Sequence, residues 1–331
     1  MKKIIISACL SLLSTSTTAF SSNIQINDVN VKIDGGFSAS ALYFDNPGFL
    51  RRHDSYLLND ALLELSPEKI EDGRFQFYAG VGVLQKQSIN RIYAPLPPVD
   101  LKLHYGYLEI PTRGDNAIEI GQLFTLMGYE SSVSYKNKHS LLGAVNSAQP
   151  DFYSGVRFKG SFGNVKRYIE VTSDPTIGDA SWALGIYQDQ GDTHYSASYY
   201  VAIDERSTID LVYASKIADV NWAFNLDYHT LEDPPIWQDE NATGVALYFS
   251  MRQQQWDWPV RLEYLSDGNT GIYGYDSGYT FTFSPTYYFS DDQYLRADFI
   301  AASADGTPFK NDNGGLEQDQ WIVAIQAGMT F

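Results

Sequence analysis

Apolar side chains occupy every second position in the last eleven residues of the chain, 321–331. A period of two residues is the pattern of a β-strand with one apolar face. A strand of a soluble protein is usually about five or six residues long, whereas a tilted strand needs about nine to eleven residues to cross a bilayer. The segment therefore predicts a membrane-spanning strand. Its apolar face consists of Trp321, Val323, Ile325, Ala327, Met329 and Phe331, and its other face is small or polar except at Ile322.

The predicted strand stops on an aromatic residue, Phe331. A final strand of alternating apolar residues that ends in Phe resembles the insertion signal of Gram-negative outer-membrane β-barrels. The resemblance implies that Trp321 and Phe331 belong to such a membrane-insertion signal, which the barrel-assembly machinery recognises. It also implies that outer-membrane lipid and lipopolysaccharide surround the folded chain.

Residues 1–19 have the features of an export signal. Lys2 and Lys3 give a positive start, residues 4–13 form a short apolar core, and small residues lead to a cleavage position after Ala19. A lipoprotein box at residues 6–9 is disfavoured, because Cys9 would leave almost no apolar core before it. We therefore expect a signal peptide at 1–19 and a single barrel domain at 20–331. Cys9 is the only cysteine, so the mature domain does not rely on disulfides.

The rest of the chain predicts strands and no transmembrane helix, because no other stretch approaches eighteen apolar residues. We count sixteen strand candidates, with an error of two because the second, fifth and tenth are weak. Short turns such as Gly163-Asn164 alternate with long links, as periplasmic turns and extracellular loops do in an up-and-down barrel. The predicted fold is all-β, a transmembrane antiparallel barrel, and 24 Tyr residues suit its two aromatic girdles.

Two of the predicted strands fit the alternation badly. The second, near residues 56–65, alternates poorly. The fourth, at residues 101–110, is predicted to turn Leu101, Leu103, Tyr105 and Tyr107 outward, and Glu109 breaks this pattern near its end.

A soluble β-sandwich or β-propeller is the alternative, since one-sided alternation occurs there too. The sequence has no repeat at the spacing of propeller blades, and no linker or shift in composition divides it. One face from each of sixteen strands would need a shared interior, while the other faces carry charges. The membrane barrel is therefore the preferred interpretation.

The longest connection, residues 127–151, lies between the fifth and sixth strands. Loops of this length are usually functional or disordered, and Leu141 and Leu142 predict that this one packs against another part of the protein. A sixteen-stranded barrel encloses an aqueous channel, which a loop folded inward would narrow. The predicted constriction residues are Tyr129, Glu130, Lys136 and Lys138; the alternative is an extracellular loop with no role in the pore.

This region also carries a family resemblance. General porins use the loop after the fifth strand to narrow the lumen. In addition, the Gly-containing strand 120–124, the stretch Gly128-Tyr129-Glu130 and the following strand opening 153–157, with Gly-Val-Arg, resemble the OmpL-like β-barrel porin family. The resemblance implies an outer-membrane porin that passes small hydrophilic solutes by passive diffusion and needs no cofactor. A homotrimer is usual among general porins, and the OmpL-like resemblance leaves it open.

Charged residues of the predicted strands are expected to face the lumen, because Arg or Lys at the bilayer midplane costs about 2–4 kcal/mol. Both signs occur in similar number, and opposed charges around a water-filled lumen favour polar solutes. The predicted pore-lining residues are Lys32, Asp34, Lys102, Glu119, Arg157, Lys159, Glu170, Asp210, Asp227, Arg252, Arg261, Glu263, Arg296 and Asp298.

The excess of acid lies in the long links. Removing residues 1–19 takes away two lysines and no acid, which leaves 21 basic against 40 acidic residues, a net charge of −19. This balance argues against a nucleic-acid partner. An acidic mouth concentrates cations, so a mild cation preference is expected; the alternative is that the acids only bind divalent cations or solvate the surface. The acids are Glu232, Asp233, Asp239, Glu240, Asp305, Asp312, Glu317 and Asp319.

Other function classes have weaker support in the sequence. An outer-membrane enzyme needs a nucleophile and a base side by side, and the adjacent pairs at residues 53–55 and 139–140 carry no such geometry. The five histidines lack metal-ligand spacing, so no metal site is predicted. A barrel with a blocked lumen, acting as an adhesin or structural protein, stays open. So does a substrate-specific sugar channel, which would use the inward tyrosines Tyr78, Tyr200, Tyr248 and Tyr288.

Overall fold

The computed structural model describes residues 22–26, 29–46, 54–68, 74–89, 100–173, 180–202, 206–232, 234–236, 238–274, 277–306, 308–310 and 315–331. The predicted signal peptide and His53 lie outside these ranges. Among the described residues, no helix is both long and apolar enough to cross a bilayer. Two short 3-10 helices, Ser134–Lys136 and Asn146–Ala148, lie in the link after the fifth barrel strand.

Sixteen strands in chain order form the barrel. They are β1 Val29–Phe44, β2 Asp54–Pro67, β3 Gln76–Leu84, β4 Lys102–Pro111, β5 Ala117–Phe124, β6 Phe152–Phe162, β7 Val165–Ser173, β8 Ala180–Gln190, β9 Thr193–Val201, β10 Arg206–Ile217, β11 Val220–Leu231, β12 Asn241–Gln253, β13 Trp256–Asp257 with Val260–Ser266, β14 Ser277–Phe283 with Thr286–Ser290, β15 Gln293–Ala304 and β16 Asp319–Thr330.

The sheet closes on itself. Each strand pairs antiparallel with its neighbour in sequence, and β16 pairs with β1 so that Thr330 lies opposite Gly36 and Ile322 opposite Phe44. Two backbone hydrogen bonds between Gly35 and Phe331 extend this seam to the last residue. Lipid offers no hydrogen bonds to an open edge, so closure is the condition for a sheet to span a bilayer. The predicted sixteen-stranded antiparallel barrel is confirmed.

Prolines explain why β13 and β14 each have two parts. Proline has no backbone N–H and interrupts a hydrogen-bonded ladder, and Pro259 and Pro285 stand at the two interruptions. Two small elements lie outside the ring. The strand Ser22–Ile26 pairs with the beginning of β1, and a hairpin of Phe309–Lys310 and Leu316–Glu317 lies in the link before β16.

Short and long connections alternate around the barrel. Two-residue turns join β6 to β7, β8 to β9, β10 to β11, β12 to β13 and β14 to β15. Gly163 and Gly191 each supply a φ of 60°, which glycine adopts without strain, and Ala218 adopts a φ of 52° at the equivalent place. The five two-residue turns lie at one rim, and the longest links, those before β2, β4, β6, β12, β14 and β16, lie at the other; β1 begins and β16 ends at the short-turn rim.

Side chains alternate between the two faces of the wall. On β8, Trp182, Leu184 and Ile186 are exposed while Ala183 and Gly185 are buried. The exposed aromatic residues gather near both rims, as in a barrel with two interfacial girdles. Near the short turns, Trp256 packs on Trp258 and Tyr287; near the long links, Trp182 contacts Tyr199 and Tyr264 contacts Tyr279. The apolar face is therefore the outer face.

A β-bulge accounts for the poor alternation of the second strand. Asp60 pairs with Ser38 and Leu58 pairs with Ala39, so Asn59 is the extra residue. Both Asn59 and Asp60 are buried. A bulge of this kind shifts the phase of the side chains by one residue, so a single period of two cannot describe β2.

A second bulge corrects the prediction for the fourth strand. Gly80 pairs with Tyr105 and Val81 with Leu103, which leaves His104 unpaired in the ladder. Leu103 faces outward as predicted, but Tyr105 faces inward, where its hydroxyl donates to Glu64 at 2.8 Å. Tyr107 stacks on the inward Tyr78 at 4.9 Å between ring centroids. The prediction that both tyrosines face lipid is wrong, and Glu109 shares their inward face.

Candidate functional site

The link between β5 and β6, residues 125–151, crosses the lumen. We call it the lumen loop. It forms hydrogen bonds with inward side chains of β10, β11, β13, β14, β15, β16 and β2. Of these strands, β13 and β14 stand half-way around the ring from β5 and β6, so the loop spans the barrel rather than lying along the wall it comes from.

Asp60, next to the bulge of β2, holds the first helical turn of the loop. Its Oδ2 accepts hydrogen bonds from the backbone N–H of Ser134 at 2.8 Å and of Tyr135 at 3.3 Å, and from Ser38 Oγ at 2.9 Å. Gln326 of β16 donates to Ser134 Oγ at 2.9 Å. Asp60 is 1% exposed. A buried carboxylate needs such donors, so the bulge and the loop depend on each other.

Arg261 of β13 holds the turn of the loop. Its Nη1 donates to Glu130 Oε1 at 2.5 Å, and the other oxygen of Glu130 accepts the backbone N–H of Gly143 at 2.6 Å. Glu130 thereby joins the two limbs of the loop. Beside it, Glu263 accepts the backbone N–H of Val145 at 3.0 Å. Arg261 is fully buried, and charge-assisted bonds of this kind are the strong ones.

The middle of the loop is fixed to β15. Arg296 Nη2 donates to the carbonyl of Asn137 at 2.8 Å. Asp298 Oδ2 accepts from the backbone N–H of Ser140 at 2.7 Å and from its hydroxyl at 2.5 Å. Two neighbouring inward charges on one strand therefore bind the loop rather than facing open water.

Both ends of the loop meet at one carboxyl pair. Asp210 of β10 and Asp227 of β11 lie directly opposite each other and are fully buried. Asp210 accepts the backbone N–H of Gly128 at 3.1 Å, and Gln149 Nε2 lies 2.9 and 3.0 Å from the two oxygens of Asp227. Among the described residues no basic side chain forms an ion pair with either Asp. Amide and backbone donors, rather than a cation, bind this pair.

An apolar cluster fills the lumen between the loop and the seam of the barrel. It explains Ile322, the exception on the inner face of the terminal strand, which is fully buried. Two other links also enter. The backbone of Leu142 bonds to Gln87 and Ile89 in the link before β4, and Ile272 and Tyr273 belong to the link before β14. The cluster includes Leu42, Phe44, Leu57, Leu265, Ile300 and Ile322 of the wall, Leu141, Ala144, Val145 and Ala148 of the loop, and Ile89, Ile272 and Tyr273 of other links.

Two inward glycines make room for the links. A Cβ added to Gly36 would lie 2.8 Å from the ring of Tyr135, and one added to Gly244 would lie 2.3 Å from the hydroxyl of Tyr273. The alternation of apolar residues alone does not mark these two positions. The available signal was a glycine on the inner face of a strand, which often marks the close approach of another segment.

Four of the predicted pore-lining residues form one paired network on β5, β6 and β7. Arg157 Nε donates to Glu170 at 2.6 Å and its Nη1 to Glu119 at 2.8 Å. Lys159 pairs with Glu119 at 2.6 Å and with Glu109 at 2.5 Å. Arg157, Glu119 and Glu170 are buried. Their charges compensate one another within the wall.

The remaining predicted pore-lining residues occupy different places. Lys32 and Asp34 pair with each other at 2.8 Å, and both are partly exposed. Lys102 is exposed at the start of β4. Arg252, near the short-turn rim, pairs with Asp291 at 3.1 Å and lies over the ring of Tyr288. Nine of the fourteen residues are buried: Glu119, Arg157, Glu170, Asp210, Asp227, Arg261, Glu263, Arg296 and Asp298.

The four predicted constriction residues line one cavity. Its volume is about 220 Å³, and Tyr129, Glu130, Lys136 and Lys138 all border it. Lys136 pairs with Glu64 at 2.6 Å and Lys138 with Asp257 at 2.6 Å, and both lysines stay more than 40% exposed. The wall contributes further residues near the short-turn rim: Asn221, Tyr248, Phe249 and Ser250.

The adjacent residues His139 and Ser140, for which the sequence predicted no catalytic geometry, do not bond to each other. His139 Nδ1 lies 2.7 Å from Ser284 Oγ, and Ser140 bonds to Asp298. Burial lowers the pKa of His139 well below its ordinary value, and the positive charges of Arg261 and Arg296 act in the same direction. Burial raises the pKa of Glu130, which Arg261 opposes. Both loop residues are bound to the wall by neighbouring side chains.

The family described as "Putative beta-barrel porin-2, OmpL-like" matches residues 29–331. The chain belongs to this family. No curated protein matches the chain in sequence.

Solved structures resemble this OmpL-like barrel over almost its whole length. The outer-membrane channel DcaP of Acinetobacter baumannii is 10% identical with a TM-score of 0.67, covering 94% of this chain and 100% of its own. The anion-selective porin of Comamonas acidovorans is 11% identical with a TM-score of 0.67, covering 91% and 99%. OmpT of Vibrio cholerae is 10% identical with a TM-score of 0.61, covering 94% and 100%. Family and neighbours together identify the chain as an outer-membrane β-barrel.

Removing the buried arginine of the wall network tests how much the barrel depends on internal pairing. Arg157→Met leaves Glu170 buried without its cation, and breaking a buried pair in this way costs about 3–5 kcal/mol. We expect the free energy of unfolding to fall by that amount, measured by urea titration in lipid vesicles. The control is Lys166→Met, which breaks a 3.5 Å pair with Asp189 whose side chains are 52% and 57% exposed, and which should cost less than about 1 kcal/mol. Equal losses of unfolding free energy in the two variants would contradict the assignment of Arg157 to a buried network of ion pairs.

Proposed function

We propose that the protein is a porin of the outer membrane, which lets small hydrophilic solutes and ions diffuse passively through a lumen narrowed by residues 127–151. The observation that carries the proposal is the lumen loop itself, bonded across the barrel to inward charges on the opposite wall. A loop held in this way leaves a narrow passage rather than the wide one of an empty sixteen-stranded barrel. The proposal includes export by residues 1–19 and a single barrel domain at 20–331.

The charge distribution supports a mild cation preference. Around the cavity, the lysines are paired with Glu64 and Asp257, so the narrow part is close to neutral. The long-link rim is acidic, and the exposed acids of its described part include Glu232, Asp239, Glu240, Asp305 and Asp319. A cluster of one sign at a channel entrance raises the local concentration of the opposite ion. We therefore attribute the cation preference to the acidic residues of the long-link rim, which forms the mouth of the channel.

We propose that this channel has no enzymatic activity and needs no cofactor. His139, Ser140 and Glu130 of the loop are each bonded to side chains of the wall, which supports structural roles for them. We extend the proposal to a homotrimer in lipopolysaccharide-containing membrane, inserted by the barrel-assembly machinery through the signal at Trp321 and Phe331. A structure of Vibrio cholerae OmpT is described as a trimer form, and it resembles this barrel in fold.

Purified protein added to a planar bilayer should give stepwise increases in current. Tyr129 lies in the cavity with 39% of its surface exposed, so Tyr129→Ala should enlarge each step by widening the passage. Tyr43, which is 52% exposed on the outer face, provides the control, and Tyr43→Ala should leave the step unchanged. A wild-type barrel that inserts but carries no current would reject the channel and favour an adhesin or structural role.

A salt gradient across the same bilayer tests the ion preference. In tenfold different KCl concentrations, the reversal potential should have the sign of a pore that favours K⁺. Neutralising the mouth with Glu232→Gln, Asp239→Asn and Glu240→Gln together should move it toward zero. The control is Asp189→Asn, an exposed acid at the short-turn rim, which should have a smaller effect. A wild-type reversal potential of the anion-selective sign would refute the assignment.

A further inference from the structure

Most of the inner wall between the two rims is closed to water. The described inward side chains of β8 to β16 are buried there, and the lumen loop and the apolar cluster cover them. Ala183, Asp210, Ala246 and Asp298 are each 0% exposed. A passage for hydrophilic solutes needs a wall that water reaches, so this side of the barrel does not supply one.

Partly exposed inward side chains lie instead on β2, β3, β4 and β6. Tyr78, Tyr105 and Tyr107 are half-buried, and Glu64 and Lys159 keep 17% and 28% of their side-chain surfaces exposed. Tyr107 stacks on Tyr78 and Tyr105 donates to Glu64, so these side chains are neighbours. Water therefore reaches the inner wall along this sector.

Ion pairs follow the same sector from one rim toward the other. In each pair the lysine keeps more than 20% of its side-chain surface exposed, whereas Arg157 of the wall network keeps 4%. These lysines therefore face water rather than the protein interior. The pairs are Lys86–Asp151 near the long links, Lys136–Glu64 at the loop and Lys159–Glu109 near the short turns, at 2.7, 2.6 and 2.5 Å.

The middle pair, Glu64 and Lys136, stands where the lumen loop meets this sector. Lys136 belongs to the first helical turn of the loop, which Asp60 holds against β2. Glu64 also accepts hydrogen bonds from the hydroxyls of Tyr105 and Tyr135, each at 2.8 Å. The pair thereby joins β2, β4 and the loop, so any solute that passes the loop on this side passes the pair.

The two charges of this pair cancel each other. An unpaired charge in a narrow passage attracts ions of opposite sign and repels ions of its own sign. While Lys136 and Glu64 stay paired, the passage beside them rejects neither sign. The acidic long-link rim then sets the ion preference.

We propose that solutes and ions pass the lumen loop through a gap between Lys136 and the inner face of β2 to β4, and that the Glu64–Lys136 pair determines the charge selectivity of this gap. The inference rests on the proposed porin function and assigns the narrow point of its passage. Lys136 also borders the cavity of about 220 Å³, so the gap leads into the space on the short-turn side of the loop.

Reversal potentials of single-charge variants in a KCl gradient test the role of the pair. Lys136→Met leaves the Glu64 carboxylate unpaired and should raise the permeability ratio of K⁺ to Cl⁻ about fivefold, which is the effect of one unit charge about 4 Å from an ion in water. Glu64→Gln should lower the ratio by a similar factor, because the ammonium group of Lys136 remains. The double variant Glu64→Gln, Lys136→Met should restore the wild-type ratio.

The control for these variants is Arg252→Met, which leaves Asp291 unpaired at the short-turn rim. The side chain of Asp291 is 91% exposed, so salt screens its charge and the permeability ratio should change much less. Shifts of the same sign in the two single variants, no shift in either, or a shift in Arg252→Met as large as in Lys136→Met would overturn the inference.

Thiol modification tests where the passage runs. Tyr78→Cys places a thiol on the partly exposed side of the lumen, and Ala246→Cys places one on the buried side. A cationic methanethiosulfonate reagent should lower the current through Tyr78→Cys channels. It should leave Ala246→Cys channels unchanged, like the wild type, whose only cysteine is Cys9. A fall in current for Ala246→Cys, or none for Tyr78→Cys, would contradict the proposed position of the gap.

The results also separate this inference from the porin proposal. Each variant is first tested for folding by its heat-dependent shift on a gel. A conducting wild type whose single-charge variants keep its reversal potential would reject the pair and leave the porin intact. A wild type that carries no current would reject the porin, and mass spectrometry of reagent-treated vesicles then tests the gap alone. The gap requires modification of Tyr78→Cys and none of Ala246→Cys; any other pattern rejects it.

Discussion

Everything in this structure depends on the closure of the backbone ladder between β16 and β1. A bilayer interior supplies no hydrogen bonds, so a sheet in it must leave no open edge. The seam is built from the last strand and runs from Ile322 opposite Phe44 to Thr330 opposite Gly36. Once the ring is closed, the alternation along each strand sorts side chains into an outer face toward lipid and an inner face toward the lumen.

The inward side chains must then satisfy a second constraint. A charge turned away from lipid still needs a partner unless water reaches it, and here most inward charges are buried. The wall solves this in two ways: Arg157 pairs with carboxylates of neighbouring strands, while Asp60, Arg261, Arg296 and Asp298 bind the lumen loop. The inward charged residues therefore hold the loop in place in addition to lining the lumen. Beside the loop lies a cavity of about 220 Å³, which Glu130, Lys136 and Lys138 border, and each of these three residues is paired.

The sequence predicted the barrel well, because sixteen strands with alternating apolar residues leave few other folds. It predicted Tyr105 and Tyr107 wrongly, since a bulge at His104 shifts the phase and a period of two cannot represent one extra residue. The role of inward apolar residues such as Ile322 was also beyond pattern analysis. Their partners come from links distant in the sequence, and only the folded chain brings Leu141 or Ile89 to them.

The central claim is that residues 127–151 reach the far wall of the lumen, and disulfide trapping tests it most directly. The hydroxyls of Ser38 and Ser134 are 2.9 Å apart, and Cys9 is the only native cysteine. A Ser38→Cys, Ser134→Cys double variant in membranes should therefore form a disulfide on mild oxidation, seen as a shift on a non-reducing gel. Ala39→Cys with Ser134→Cys should not, because Ala39 faces outward. Equal trapping of both pairs, or of neither, would contradict the account.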